Sequence, residues 1–534
     1  MSADHHAGDR VVVIGGGFGG LAAALRLAAA GRPVTLLERA ATIGGKARRL
    51  AVGTRAVEAG PTVFTMKPVF DALFAAAGSR LEDAITLRPA RVLARHAWPC
   101  GSRFDLFADL EETVAAVDRL AGPAEADRYR RFAADTEAAW ELFRPAFVEA
   151  TRPTPLDVLA RIGLSGIPGL IRARPSATLW RVLSTKLHDP RLRQLFGRYA
   201  TYCGSDPFAA PATLMLIAHV ERLGVWTVEG GMTALARAIA DLAERHGTEI
   251  RTSAEVARIE TTAGRISGVE LTSGDRIATQ AVVFNGDAGA LPAGLLGPDV
   301  THAVRAVKPA ARSYSALVWS AVAEPTGFPL SHHTVFFGPD YAAEFEAMNA
   351  GRLPPDPTTY ICAMDRDADA SAAPSGPERL HIQINAPATG DAAAPGTGTG
   401  PHPPGEEEIE QCRIETEALM ARAGLRLSLS PATSRLSRPQ DYEALFPGTG
   451  GALYGEATRG PFASFRRAPT HTRIPGLFLA GGSAHPGAGV PMATLSGRLA
   501  AEAVTAHLGS TPRSRPVAIS GGMSTPSRTT GSTA

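Results

Sequence analysis

The chain has 534 residues, 20% of them charged and 45% hydrophobic, the balance of a globular enzyme with room for two or more domains. A formal net charge of +2 gives no global drive toward nucleic acid, so no nucleic-acid partner is expected. Cys100, Cys203, Cys362 and Cys412 are scattered without a C-x-x-C pair, which argues for reduced thiols and against a disulfide framework or a metal site.

Val11–Ile14 is a continuous apolar run, the pattern of a parallel strand covered on both faces. It starts so early that a cleavable signal peptide has no room. The run leads into Gly15-x-Gly17-x-x-Gly20. Gly15 permits a tight turn, Gly17 lets backbone approach a pyrophosphate, and Gly20 lets the next helix pack closely on the strand. That helix is predicted over Leu21–Ala30, with Gly31 as its stop. Its N-terminal N–H groups would face phosphates. Val34–Leu37 predicts the second strand, and Glu38 at its end is placed to take a ribose hydroxyl pair. An acid there disfavours a 2′-phosphate and hence NADP. Gly44-Gly45 is a turn of exposed backbone, and Lys46 is a point charge suited to phosphate or a solvated surface lysine.

From Val69 to about Arg198 the pattern is mostly helical, as in Glu111–Leu120 and Arg128–Phe147. Val228–Met232 precedes an amphipathic stretch over Leu235–His246. Glu249–Arg251, Ala254–Glu260 and Gly268–Leu271, with turns between them, read as a small β-meander. Gln280–Asn285 is another buried strand, ending at Asn285-Gly286-Asp287. Further strands are expected at Ala316–Val322, Thr334–Phe337 and Leu380–Asn385, and a helix at Glu406–Ala423. Residues 387–405 and the tail beyond Gly509 have the composition of mobile segments. Gly476–Ser483 is a strand entering a second glycine-rich turn, followed by His485-Pro486-Gly487-Ala488-Gly489-Val490-Pro491-Met492 and a helix over Ala493–Ala506. No run of roughly 18 apolar residues is present.

Glu38-(x5)-Gly44-Gly45-Lys46 followed by Glu58-Ala59-Gly60-Pro61-Thr62 resembles the second-strand extension of the amine oxidase/phytoene desaturase flavoproteins, and the stretch from Gly481 to Pro491 closely resembles the C-terminal signature of the bacterial-type carotenoid (phytoene) desaturases. The resemblance covers about residues 9–508. Amine oxidases share the fold but usually carry an acid near Ser483, where this chain departs from them. Residues 58–66 and Gly224-Val225-Trp226-x-x-Glu229-Gly230-Gly231-Met232 look most like the 1-hydroxycarotenoid 3,4-desaturase (methoxyneurosporene dehydrogenase) branch.

The resemblance implies an α/β fold: a Rossmann-like FAD-binding domain of the amine oxidase/phytoene desaturase type with an interleaved α+β substrate domain. The FAD-binding domain would comprise residues 1–85, 225–300 and 471–509. Residues 86–224 would be a mostly helical, membrane-facing part of the substrate domain, and 301–470 its strands and helices, with a flexible loop at 387–405. Residues 510–534 would be a disordered tail. FAD would be held by Gly15, Gly17, Gly20, Glu38, Gly45, Lys46, Val256 bordering the adenine, Gly482, Ser483, Gly489, Val490 and Met492.

The implied reaction introduces a C=C bond into an acyclic, C1-hydroxylated carotenoid by 3,4-desaturation, with hydride passing to the flavin and oxygen or a quinone as final acceptor. The alternatives within enzymes are a phytoene desaturase or other carotenoid desaturase/isomerase, or an amine oxidase-like activity, against which the missing acid near Ser483 speaks. A non-catalytic prenyl-lipid-binding protein of the same fold is the alternative of another class. Such C–H bonds are not acidic, so the protein's tasks are positioning and exclusion of water. No catalytic side chain can be named. His485 is the tempting candidate, and a packing or hydrogen-bonding role for it outweighs a catalytic one.

The substrate dissolves only in lipid. Residues 158–188 carry Arg161, Arg172, Arg174, Arg181 and Lys186 with no acid among them, interleaved with Ile162, Leu164, Ile167, Leu170, Ile171, Leu179 and Trp180. That pattern suits a segment lying on anionic lipid, or equally a helical pair packed on the substrate domain. A cytoplasmic protein held peripherally on the inner membrane is therefore expected.

Overall fold

Val11–Ile14, Val34–Leu37, Ala281–Phe284 and Leu477–Leu479 are buried along their whole length. They pair in parallel, in the order 249–251, 34–37, 11–14, 281–284, 477–479. Alternation of side chains across the pleat buries both faces, so every position but Thr35 is apolar, and its hydroxyl donates to Glu249 (3.1 Å). Val11 and Val13 point to one face, where helices Phe18–Ala29, Gly231–Arg245 and Val490–Ser510 cover them. Val12 and Ile14 point to the other, beneath a three-stranded meander of Val256–Thr262, Arg265–Leu271 and Arg276–Ala278. The computed structural model describes residues 10–151, 153–366, 374–392 and 402–510. The centre of the expected loop at 387–405 and the expected tail therefore lie outside the described residues.

The first helix begins three residues earlier than its composition predicts, at Phe18, with Gly17 as the extended N-cap. The glycines delay the prediction, yet packing requires them inside the helix. A Cβ on Gly20 would lie 2.0 Å from the Gly15 carbonyl oxygen. The C-terminal helix crosses the first equally closely, since a Cβ on Gly497 would lie 2.2 Å from the carbonyl oxygen of Gly19.

A second, seven-stranded sheet runs in the order 434–437, 315–323, 378–386, 359–363, 333–336, 92–97, 103–107. Two of its strands come from the stretch expected to be mostly helical. One face is apolar: Leu317, Trp319, Phe336, Ile361, Ile382 and Ile384 lie under Ile409, Cys412 and Met420 of helix Glu406–Arg422. The β-ribbon Arg49–Val52/Arg55–Glu58 packs on strands 315–323 and 378–386. Helices of residues 110–222 build a separate core around Phe132, Phe196 and Tyr199. At their edge, Pro155–Ile162 and Ile167–Ala173 leave Leu156, Leu159, Leu164, Ile167 and Ile171 exposed, Leu164 by 87%. Among the described residues no helix is long and apolar enough to cross a membrane.

Candidate cofactor and substrate site

The strand register brings four chain segments to one edge. Ile14 pairs with Leu37 on one side and Phe284 on the other, and Phe284 pairs with Leu479. Glu38, Gly15, Asn285 and Ala480 therefore follow one another across the carboxyl ends of the sheet, where open α/β sheets bind their ligands. Gly15 has φ +99°, which the turn out of the first strand requires. Gly17 bridges to Gly44, and a Cβ on Gly45 would lie 3.1 Å from Gly17 Cα, so the two glycine turns touch.

Glu38 is buried and accepts backbone hydrogen bonds on both oxygens, from Gly16 N–H (2.7 Å) and Ala40 N–H (2.8 Å). A carboxylate oxygen has a second acceptor site, so a ribose hydroxyl can still be taken up. The Glu38 carbonyl accepts from Ala254 N–H (2.9 Å), which ties the start of the meander, and with it buried Val256, to this end of the site.

On the far side, Ser483 Oγ accepts from Ala288 N–H (3.0 Å), and the Gly482 carbonyl accepts from the buried Arg467 guanidinium (2.6 Å). Gly489, at φ +103°, turns the chain into the C-terminal helix that starts at Val490. The helix N-terminus directs unpaired N–H groups and positive partial charge at the site. Met492 packs with Met66, Trp140, Val148, Val220 and Leu495.

Lys46 is placed differently from a phosphate-binding lysine. Its ammonium donates to the Leu453 carbonyl (2.5 Å) and lies over the Phe446 ring. Burial pushes its pKa down, and the nearby Asp287 opposes this. Lys46 thus joins the glycine turn to the segment around residue 450. Asn285 belongs to the site and is absent from the sequence-derived set. Its amide donates to the Gly15 carbonyl (3.0 Å), and a Cβ on Gly17 would come within 3.0 Å of that amide nitrogen. The signal for it is the polar tripeptide Asn285-Gly286-Asp287 directly after an apolar strand. Arg467 carries no comparable local signal.

His485 is buried, donates through Nε2 to the Ala150 carbonyl (2.8 Å) and sets its ring edge-on to Phe147. Burial pushes its pKa down to about 4, so it is neutral near pH 7. It locks the C-terminal turn against the helical part of the chain.

The family model for flavin-containing amine oxidoreductases matches residues 18–323. Over 524 residues the chain is 49% identical to a hydroxyneurosporene desaturase of Rubrivivax gelatinosus, covering 98% of each. The chain belongs to the bacterial carotenoid desaturase family. It is 33% identical to a phytoene dehydrogenase of Streptomyces griseus, covering 95% of this chain and 97% of that one. A putrescine oxidase bound to putrescine shares its fold, with a TM-score of 0.57 and 14% identity over 93% of this chain and 99% of that one. The desaturase is a flavin-dependent oxidoreductase acting on CH–CH groups, and its cofactor is FAD.

The residues present fit FAD. Glycine turns free of Cβ atoms stand at Gly17 and Gly45, an acid stands at the end of the neighbouring strand, and a Cβ on Gly482 or Gly487 would meet nothing within 4 Å. The strand ends from Glu38 to Gly482 form one continuous edge along which an elongated dinucleotide would lie.

Proposed function

We infer that the desaturase acts on an acyclic carotenoid hydroxylated at C1 and introduces the 3,4 double bond. The observation that carries this is the gap between 49% identity to a hydroxyneurosporene desaturase and 33% to a phytoene dehydrogenase, both over nearly the full chain.

When bound, FAD supplies a hydride acceptor. A methylene next to the polyene would then lose a hydride and its neighbouring carbon a proton, which balances formation of the C=C bond. The chain's own part is to hold and enclose. Gly15, Gly17, Gly45 and Asn285 would admit the pyrophosphate, Gly20 would keep the first helix close enough to present its N-terminus to it, Glu38 would take the ribose, and Val256 would border the adenine. Gly482, Ser483 and the helix start at Gly489–Met492 would hold the ribityl and flavin end. Lys46 steadies the turn that holds the phosphates. His485, neutral and hydrogen-bonded, positions the C-terminal turn. Oxygen or a membrane quinone would take up the two electrons.

The hydrocarbon is delivered from lipid. The exposed Leu156, Leu159, Leu164, Ile167 and Ile171, flanked by Arg161, Arg172, Arg174 and Arg181, supply an apolar face with basic borders for the inner membrane. Arg172 and Lys186 lean on Asp135, so Arg161, Arg174 and Arg181 carry most of the lipid attraction.

The test is turnover of 1-hydroxyneurosporene, neurosporene and phytoene at matched loading in the same liposomes, read by pigment chromatography. Preferred conversion of the hydroxylated substrate is expected. Equal or faster conversion of phytoene overturns the substrate reading and leaves the family intact.

A further inference from the structure

On the second sheet, the row opposite the apolar face is polar. His333, Cys362, His381 and Ser320 are register partners on four adjacent strands, so their side chains share one face. All four are buried, none more than 3% exposed. Three of them hold a buried polar atom with no hydrogen-bond partner: His333 Nε2, His381 Nδ1 and Ser320 Oγ. Native proteins rarely leave such atoms unmet, and a row of them in the domain that handles a hydrocarbon calls for a polar ligand group.

The row connects to the cofactor-binding segment. His333 Nδ1 is 2.8 Å from Tyr360 OH, which is 2.7 Å from Thr62 Oγ1. Thr62 follows Gly60, whose Cβ, if present, would lie 1.8 Å from the Lys46 carbonyl oxygen, so this strand of chain runs against the turn after Gly45. Thr62 and Cys362 also line a cleft of about 270 Å³ with Glu58, Met232 and His332.

Burial, with His332 and Arg198 nearby, holds the His333 pKa well below its ordinary value, so the ring is neutral. A neutral imidazole has one donor and one acceptor nitrogen. Tyr360 occupies Nδ1, so Nε2 is left either with a proton to give or with a lone pair to fill. A hydroxyl can do both and satisfies either tautomer. A hydrocarbon end group can do neither.

We propose that Thr62, Tyr360 and His333 read the terminal hydroxyl of the substrate, with His333 Nε2 as its hydrogen-bond partner. The proposal rests on the substrate reading above and names the residues that enforce it. Only one carbon separates C1 from C3 in that substrate, so its hydroxyl must be read close to the reacting bond. A reader reached from the cofactor segment through Thr62 meets that requirement.

The experiment compares kcat/KM for 1-hydroxyneurosporene and neurosporene in liposomes, using flavin-replete wild type, His333→Leu and Tyr360→Phe. In His333→Leu the hydroxylated-to-plain ratio is expected to fall about 10- to 100-fold, the size of effect that follows from losing one buried polar partner. Tyr360→Phe removes one oxygen and keeps the ring, and it carries the test if His333→Leu fails to load flavin. A wild-type preference that both variants retain overturns the reader alone. No preference in the wild type overturns the substrate reading instead. The ligand atoms of His332, His333 and Cys362 lie within 4.8 Å of one another. Selectivity lost to a chelator and restored by Zn²⁺ would assign them to a metal and overturn the direct hydrogen bond.

Discussion

Gly17 shows how one missing methyl group defines a site. Its φ of −75° and ψ of 175° are open to any residue, so valine there strains no backbone. What valine takes is space, because its Cβ alone comes within 3.0 Å of the Asn285 amide nitrogen. Gly17→Val should therefore fold, keep its far-ultraviolet spectrum and purify colourless and inactive. Stoichiometric FAD in that variant would contradict the assignment. His485 makes a prediction in pH. Its folded pKa of about 4 lies below the ordinary 6.5. Above pH 6.5 neither state is protonated, so titration contributes nothing and only the hydrogen bond to Ala150 counts. Between pH 6.5 and 4 the unfolded chain binds a proton that the folded one refuses, so stability falls with pH, by about 3 kcal/mol for this residue. His485→Gln removes that term. The variant should be less stable than wild type at pH 7, and the gap in urea midpoint should narrow by pH 4.5.

At the scale of elements, the short helices at 155–162 and 167–173 are defined by what they do not bury. Thr154 caps the first through a reciprocal capping box with Asp157, so the helix is well made although its Leu156 and Leu159 face outward. Apolar side chains left out on a capped helix mark an interaction surface. Returning each of them to an apolar phase is worth roughly 1.5–3 kcal/mol. Leu164→Asp with Ile171→Asp should thus weaken sedimentation with anionic vesicles by at least about 100-fold, while flavin content stays at the wild-type level. Unchanged sedimentation of the folded variant would remove this face from the membrane reading.

Across the whole molecule, the cofactor site is assembled from segments about two hundred residues or more apart. Gly15 and Gly17 meet Asn285 from the middle of the chain, and Gly19 and Asn285 meet Gly481 from near its end. A ligand touching all of them binds only the folded state and should stabilise it by about 2.7 kcal/mol at a concentration a hundred times its Kd. Deflavinated protein should melt several degrees lower at a fixed scan rate, with the midpoint rising as FAD is added back. A midpoint indifferent to FAD would show that these segments are held together without it.

The nucleotide-binding half was legible because its requirements are local. A parallel strand must be apolar throughout, a tight turn must be glycine, and an acid must end the next strand, so Val11–Ile14, Gly15, Gly17, Gly20 and Glu38 declare themselves in order. The glycines also misplaced the start of the first helix, since propensity penalises them while packing against Gly15 demands them. Non-local partners were out of reach. The Lys46 ammonium has a partner, the Leu453 carbonyl, about four hundred residues away. Asn285 acquires its role only when its strand is laid beside the first. The row of His333, Cys362, His381 and Ser320 exists only through the register of four strands, because each residue alone is an ordinary polar interruption of an apolar segment. Local sterics wrote the cofactor turn into the sequence, whereas strand order and register, set by burial of the whole chain, decided which polar groups share one face of the second sheet.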